Sequence, residues 1–177
     1  FATNYEFTAV TAKGNNLQYD GKGQAIISGR SFTFRQLHFH LPAEHLLEGK
    51  DYPLEFHFVH ENEIGQLAVV AFFVEVGDNN RALAPFFQHF KLTEGFKAAF
   101  KYQLAIEQLV GKRANVYHYL GSLTTPPLLR GVEWWVFEQP LVVSEKQLRV
   151  LQTDFVKRNA REVQPRNERN ILYYNLK

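Results

Sequence analysis

Apolar residues recur along this chain mainly with the period of two that a half-buried strand requires, or run unbroken as in a strand covered on both faces. Segments 24–28, 31–40, 54–60, 67–76 and 131–137 carry that signal and are rich in Val, Ile, Phe and Trp. Turn residues separate them. Asp20-Gly21, Ser28-Gly29, Glu48-Gly49 and Asn62-Glu63-Ile64-Gly65 each read as a tight connection. Helical periodicity is scarce. It is clearest over 144–158, where Ser144 and Gln147 form a capping box and Leu148, Leu151 and Phe155 line one face. A weaker helix is expected over 81–89. No repeat, low-complexity tract or linker divides the sequence, so residues 1–177 are expected to form one domain. The predicted fold class is predominantly β, mostly antiparallel because hairpin-length turns dominate, with short peripheral helices.

Composition narrows the function. With 177 residues, 45% of them hydrophobic, the chain can bury a substantial core. Its formal charge of +2, with both signs mixed along the sequence, offers no electrostatic footprint for nucleic acid or membrane. There is no cysteine, which excludes disulfides and thiolate metal sites. No apolar run is long enough for a membrane-spanning helix, and no leader pattern opens the sequence. A start at Phe1 and the lack of any Met point to a processed or trimmed product.

The candidate chemistry lies in two stretches. In 36–45, strand alternation puts Gln36, His38 and His40 on one face and Leu37, Phe39 and Leu41 on the other. In 54–60, Glu55, His57 and Val59 share a face, opposite Phe56, Phe58 and His60. Pairing of these two strands would let His57 join His38 and His40 in a three-imidazole site with one position open, the ligand pattern of catalytic zinc. A lone histidine on a strand is ordinarily a hydrogen-bonded structural residue. Five of the seven histidines, however, fall between positions 38 and 60. His60 is expected to be structural, and His45, His89 and His118 are assigned no ligand role. A cupin oxidoreductase would use His38, His40 and Glu44 instead. That pattern needs a glycine where Phe32 stands and a second motif that is not found.

A third stretch, Tyr119-Leu120-Gly121-Ser122-Leu123-Thr124-Thr125-Pro126-Pro127-Leu128, separates these readings. With Lys13-Gly14-Asn15-Asn16-Leu17-Gln18, the histidine motifs, Ala43-Glu44-His45 and the closing 159–169 segment, it resembles the α-carbonic anhydrases, compact bacterial type, over nearly the whole chain. The resemblance implies a large twisted central sheet and the reversible hydration of CO2 to bicarbonate and a proton by a zinc-bound hydroxide. It implies zinc on His38, His40 and His57, with Gln36 and Glu55 hydrogen-bonded to ligand imidazoles. Thr124 would accept a hydrogen bond from the hydroxide and donate to Glu44. Val59, Val69, Leu123, Thr125, Val132 and Trp134 would line the CO2 pocket. Sulfonamides and small anions are the expected inhibitors, a homodimer is among the assemblies allowed, and a periplasmic or secreted location is implied. Three departures stand out. Asn15 occupies the proton-shuttle position, where many active members carry histidine, so proton release is expected to depend on external buffer. The family's N-terminal segment has no counterpart before the strand that precedes Gly14. The cysteine pair of exported bacterial members is missing, with Leu128 at one of its positions. A related domain that binds without turnover is the competing class; such domains usually lose a zinc histidine or a member of the Thr–Glu pair, and all are kept here.

Overall fold

The structure, a computed structural model, describes residues 2–110, 114–153 and 155–176. Among them are eleven strands: β1 (Ala2–Thr3), β2 (Tyr5–Lys13), β3 (Asn16–Lys22), β4 (Gln24–Ile27), β5 (Arg30–His40), β6 (Leu54–Glu61), β7 (Leu67–Val76), β8 (Lys97–Leu104), β9 (Ala114–Ser122), β10 (Arg130–Val143) and β11 (Leu172–Leu176). They form one sheet in the order β11-β9-β10-β7-β6-β5-β3-β2-β8, with β4 beside β5 and β1 beside β4. Every pair is antiparallel except β7 with β10. The expectation of a large, mostly antiparallel sheet holds.

Strand β6 lies mid-sheet between β5 and β7, and its residues 54–60 are all buried. A central strand covered on both sides needs apolar or fully paired residues at every position, which explains its unbroken run. Alternation then sorts the side chains. Leu37, Phe39, Phe56, Phe58, Val70, Phe72, Trp135 and Phe137 join the larger core, with Tyr5, Phe7 and Tyr19. Val59, Val69, Ala71, Phe73, Val132, Trp134 and Val136 build a smaller cluster on the opposite face. The register sets His38 opposite His57, His40 opposite Glu55 and Gln36 opposite Val59. One period-two pattern thus makes both the core and the platform for the polar site.

Several local expectations are corrected. Asp20-Gly21 is not a turn but part of β3, beside a bulge in its pairing with β2. A Cβ on Gly21 would meet Phe34 Cε1 at 2.7 Å, so the glycine serves close packing rather than a reversal. The reversal between β2 and β3 is Gly14-Asn15, with φ of 58° and 63°, values suited to a two-residue hairpin. The predicted helix keeps its capping box but, as α1 (Glu145–Leu151), stops seven residues early. Gln152 leaves the helical region at ψ 75°, and the Thr153 hydroxyl accepts a local bond from Val156 N, the competition with helix that short polar side chains offer. Position 154 of that expected helix lies outside the described residues. Over 81–89 only a single 3₁₀ turn forms, Ala84–Phe86, with Pro85 at its start. Strand β10 runs past the expected end at 137 to Val143, through a register shift between Phe137 and Leu141.

Candidate metal centre

The ligand nitrogens of His38, His40 and His57 lie within 4.8 Å of one another. Each ring has its other nitrogen committed. His38 Nδ1 donates to Gln36 Oε1 at 2.8 Å, His40 Nδ1 to the Asn159 carbonyl at 3.2 Å, and His57 Nε2 to Glu55 Oε1 at 2.9 Å. Carbonyls and carboxylates only accept, so these bonds place the protons on Nδ1, Nδ1 and Nε2. The unprotonated nitrogens are therefore Nε2 of His38, Nε2 of His40 and Nδ1 of His57. His40 Nε2 is buried and has no hydrogen-bond partner. A buried polar atom without a partner is costly unless something else satisfies it.

Electrostatics agree with neutral rings at His38 and His40. Burial, reinforced by the neighbouring His57 and His40, holds His38 well below the ordinary histidine range. Burial and then the charge of His57 push His40 down to about 3. Beneath the rings, Glu55 is fully buried, and burial alone would raise its carboxyl. The charges of His45 and His57 and their hydrogen bonds instead hold it well below the usual carboxylate value. Its Oε2 accepts from the backbone N–H groups of Glu44 and His45 at 2.8 and 3.0 Å. His45 continues the chain: Nδ1 donates to Glu55 Oε1 at 2.6 Å, and Nε2 pairs with Tyr119 Oη at 2.6 Å. Burial would lower His45, yet the Glu55 charge and hydrogen bond leave it raised.

Three imidazole nitrogens within 4.8 Å of one another, without thiolates, suit a divalent zinc ion that keeps an open position. A family model for eukaryotic-type carbonic anhydrase matches residues 3–175.

The chain belongs to that family.

A carbonic anhydrase of Pectobacterium carotovorum is 34% identical over 148 residues, covering 84% of this chain and 61% of its own length. One from Neisseria gonorrhoeae is 32% identical over 174 residues, covering 96% and 69%. The α-carbonic anhydrase of Thermovibrio ammonificans, solved with the inhibitor sulfanilamide, superposes with a TM-score of 0.85 at 33% identity, covering 96% of this chain and 77% of that one. The chain thus spans 61% of the length of the Pectobacterium relative.

The remaining carbonic anhydrase positions fall as follows. Val59, Val69, Val132 and Trp134 are buried in the smaller cluster with Leu123 packed against it, and the Trp134 ring lies 4.8 Å from that of His57. Thr125 is exposed. Glu44 and Thr124 line one cleft of about 230 Å³ together with His45, Tyr119, Arg161 and Arg169. Glu44 Oε1 accepts from Arg161 N at 2.7 Å, while its buried Oε2 has no partner, so the Thr124–Glu44 hydrogen bond is not formed here. His60 is structural: Tyr5 Oη bonds its Nε2 at 2.6 Å, and its Nδ1 faces the Ala68 carbonyl at 3.3 Å. Sequence reasoning missed two residues. His45 was assigned no role although it sits in the Ala-Glu-His motif, the one signal that marks it. Asn159, first residue of the closing segment, supplies the acceptor for His40. Among the described residues no helix is long and apolar enough to cross a membrane.

Proposed function

We propose that this chain, with zinc on His38 Nε2, His40 Nε2 and His57 Nδ1, catalyses reversible hydration of CO2 to bicarbonate and a proton. The observation that carries the reading is that each of the three rings has one nitrogen hydrogen-bonded to an acceptor while their ligand nitrogens lie within 4.8 Å of one another. Zinc, when bound, lowers the pKa of water to about 7 and so supplies a nucleophile near neutral pH. The protein supplies orientation and a dry wall. Gln36, Asn159 and Glu55 hold the three rings, and the negative Glu55 makes His57 the more basic donor.

Glu44 Oε2, which has no hydrogen-bond partner and belongs to a residue that lines the same cleft as Thr124, is the acceptor this reading gives the Thr124 hydroxyl. A hydroxyl whose proton is so committed can only accept, and it aims the attacking oxygen's lone pair at carbon. Val59, Val69, Leu123, Val132 and Trp134 form the apolar wall that suits a small nonpolar substrate, while Thr125 stands at the solvent side. Residues 1–177 act in this reading as one carbonic anhydrase domain. Primary sulfonamides and small anions compete at the open position, as the inhibitor in the Thermovibrio structure suggests. In this reading the setting is periplasmic or secreted. Stopped-flow CO2 hydration with and without sulfanilamide is the test. Zinc-dependent, sulfanilamide-sensitive hydration is expected; stoichiometric zinc with no hydration would identify a binding domain instead.

A further inference from the structure

The β2–β3 turn touches the segment that orients one of the histidines. Asn15, at its tip, accepts from Lys157 N through Oδ1 at 2.9 Å, and its carbonyl accepts from Asn159 Nδ2 at 3.2 Å. Asn159 is itself fastened to the end of β5. Its N–H donates to the Leu41 carbonyl at 3.0 Å, its Oδ1 accepts from Leu41 N at 2.8 Å, and its Nδ2 also donates to the Phe39 carbonyl at 3.1 Å. The same residue's carbonyl accepts from His40 Nδ1, and two residues on Arg161 N donates to Glu44. Segment 157–161 is thus an irregular strap. Asn15 pins its first residue, His40 leans on its middle, and Glu44 is held at its end.

An asparagine at positive φ has a simpler explanation, because Asn tolerates the left-handed region and suits the turn. That explanation needs only the backbone. It does not require Oδ1 to meet an amide 142 positions away, on the strap that carries the His40 acceptor. We infer that Asn15 is a positioning residue for the metal site: its amide oxygen sets the strap, and the strap sets the His40 ring and the Glu44 carboxylate. The inference rests on the zinc reading above. It gives the shuttle position a role that needs no titrating group.

The test compares the parent with Asn15→Gly, which keeps the backbone relaxed and removes the acceptor, and Asn15→Asp, which keeps an oxygen there. Zinc affinity is read by competition with a chromophoric chelator, and site geometry by the visible bands of the cobalt(II)-loaded protein. Removing a group that bonds a ligand directly costs about 10–100-fold in affinity, so this more remote contact is expected to cost about 3–10-fold in Asn15→Gly, with shifted cobalt bands. Asn15→Asp should stay within about two-fold of the parent. An Asn15→Gly protein that matches the parent in affinity and spectrum overturns the inference; a parent that binds no zinc overturns the functional reading instead. A measurement on the parent alone guards against a variant that fails to fold. Coupling is reciprocal, so zinc must slow hydrogen exchange at the Lys157 amide; equal rates with and without zinc overturn the inference as well.

Discussion

Exchange of Glu55 for glutamine changes one atom and reverses a hydrogen-bond direction beneath the proposed metal site. The carboxylate accepts from four donors: His57 Nε2 and His45 Nδ1 on Oε1, and the Glu44 and His45 backbone amides on Oε2. A carboxamide has one accepting oxygen and one donating NH2 group. The backbone amides cannot give up their protons, so the glutamine oxygen must face them and its NH2 must face the imidazoles. His57 then accepts at Nε2 and carries its proton on Nδ1, the nitrogen that faces His38 and His40. Zinc has to displace that tautomer. The expected loss in affinity is about 10–100-fold, or about 1.4–2.7 kcal/mol. Chelator competition on Glu55→Gln and parent measures it directly, and circular dichroism of the metal-free proteins checks that both are folded. A folded Glu55→Gln protein binding zinc as tightly as the parent would refute the tautomer reasoning.

Other expectations follow from single contacts. His60 is pushed down to about 4 by burial. An unfolded chain takes up that proton near pH 6.5, so His60 contributes stability fully above 6.5 that is lost as pH falls towards 4, about 3 kcal/mol in all. Urea unfolding across that range together with an NMR titration of the ring checks this; a ring that titrates near 6.5 contradicts it. Gly21→Ala drives a Cβ to 2.7 Å from Phe34 Cε1 and 2.9 Å from the Glu6 carbonyl oxygen. It should lower the urea midpoint by the equivalent of about 1–3 kcal/mol at constant slope, and an unchanged midpoint would show that Phe34 yields freely. With an untitratable amide at position 15, CO2 hydration should rise with buffer concentration; high turnover that is flat in buffer would mean another group exports the proton.

The sequence made the centre of the sheet legible and left its flanks obscure. Segments 31–40, 54–60 and 67–76 announce themselves because β5, β6 and β7 are covered on one or both faces, so nearly every position is constrained. Strands β3, β8, β9 and β11 carry mixed or polar residues with partial exposure, and β3 even contains an Asp-Gly pair that mimics a turn. The grouping of the three candidate ligand histidines was legible for the same reason as the core: period two put His38 and His40 on one face, and antiparallel pairing brought His57 opposite. The groups that fix those ligands were less so. His45 meets Tyr119 across 74 positions and His40 meets Asn159 across 119, and no local periodicity encodes contacts of that range. Helix length was misjudged because an apolar stripe cannot show where Thr153 begins to bond locally.

Everything chemical depends on three histidines holding one zinc ion, and the zinc content of His57→Ala beside the parent tests that most directly. His57 is buried against Trp134 and faces both other rings, so its truncation leaves two imidazoles, with Glu55 Oε1 still held by His45 Nδ1. After exhaustive dialysis the parent should retain about one zinc per chain and folded His57→Ala almost none, because two neutral nitrogens do not make the ligand set of a protein zinc site. A folded His57→Ala protein that keeps its zinc in full would contradict the assignment.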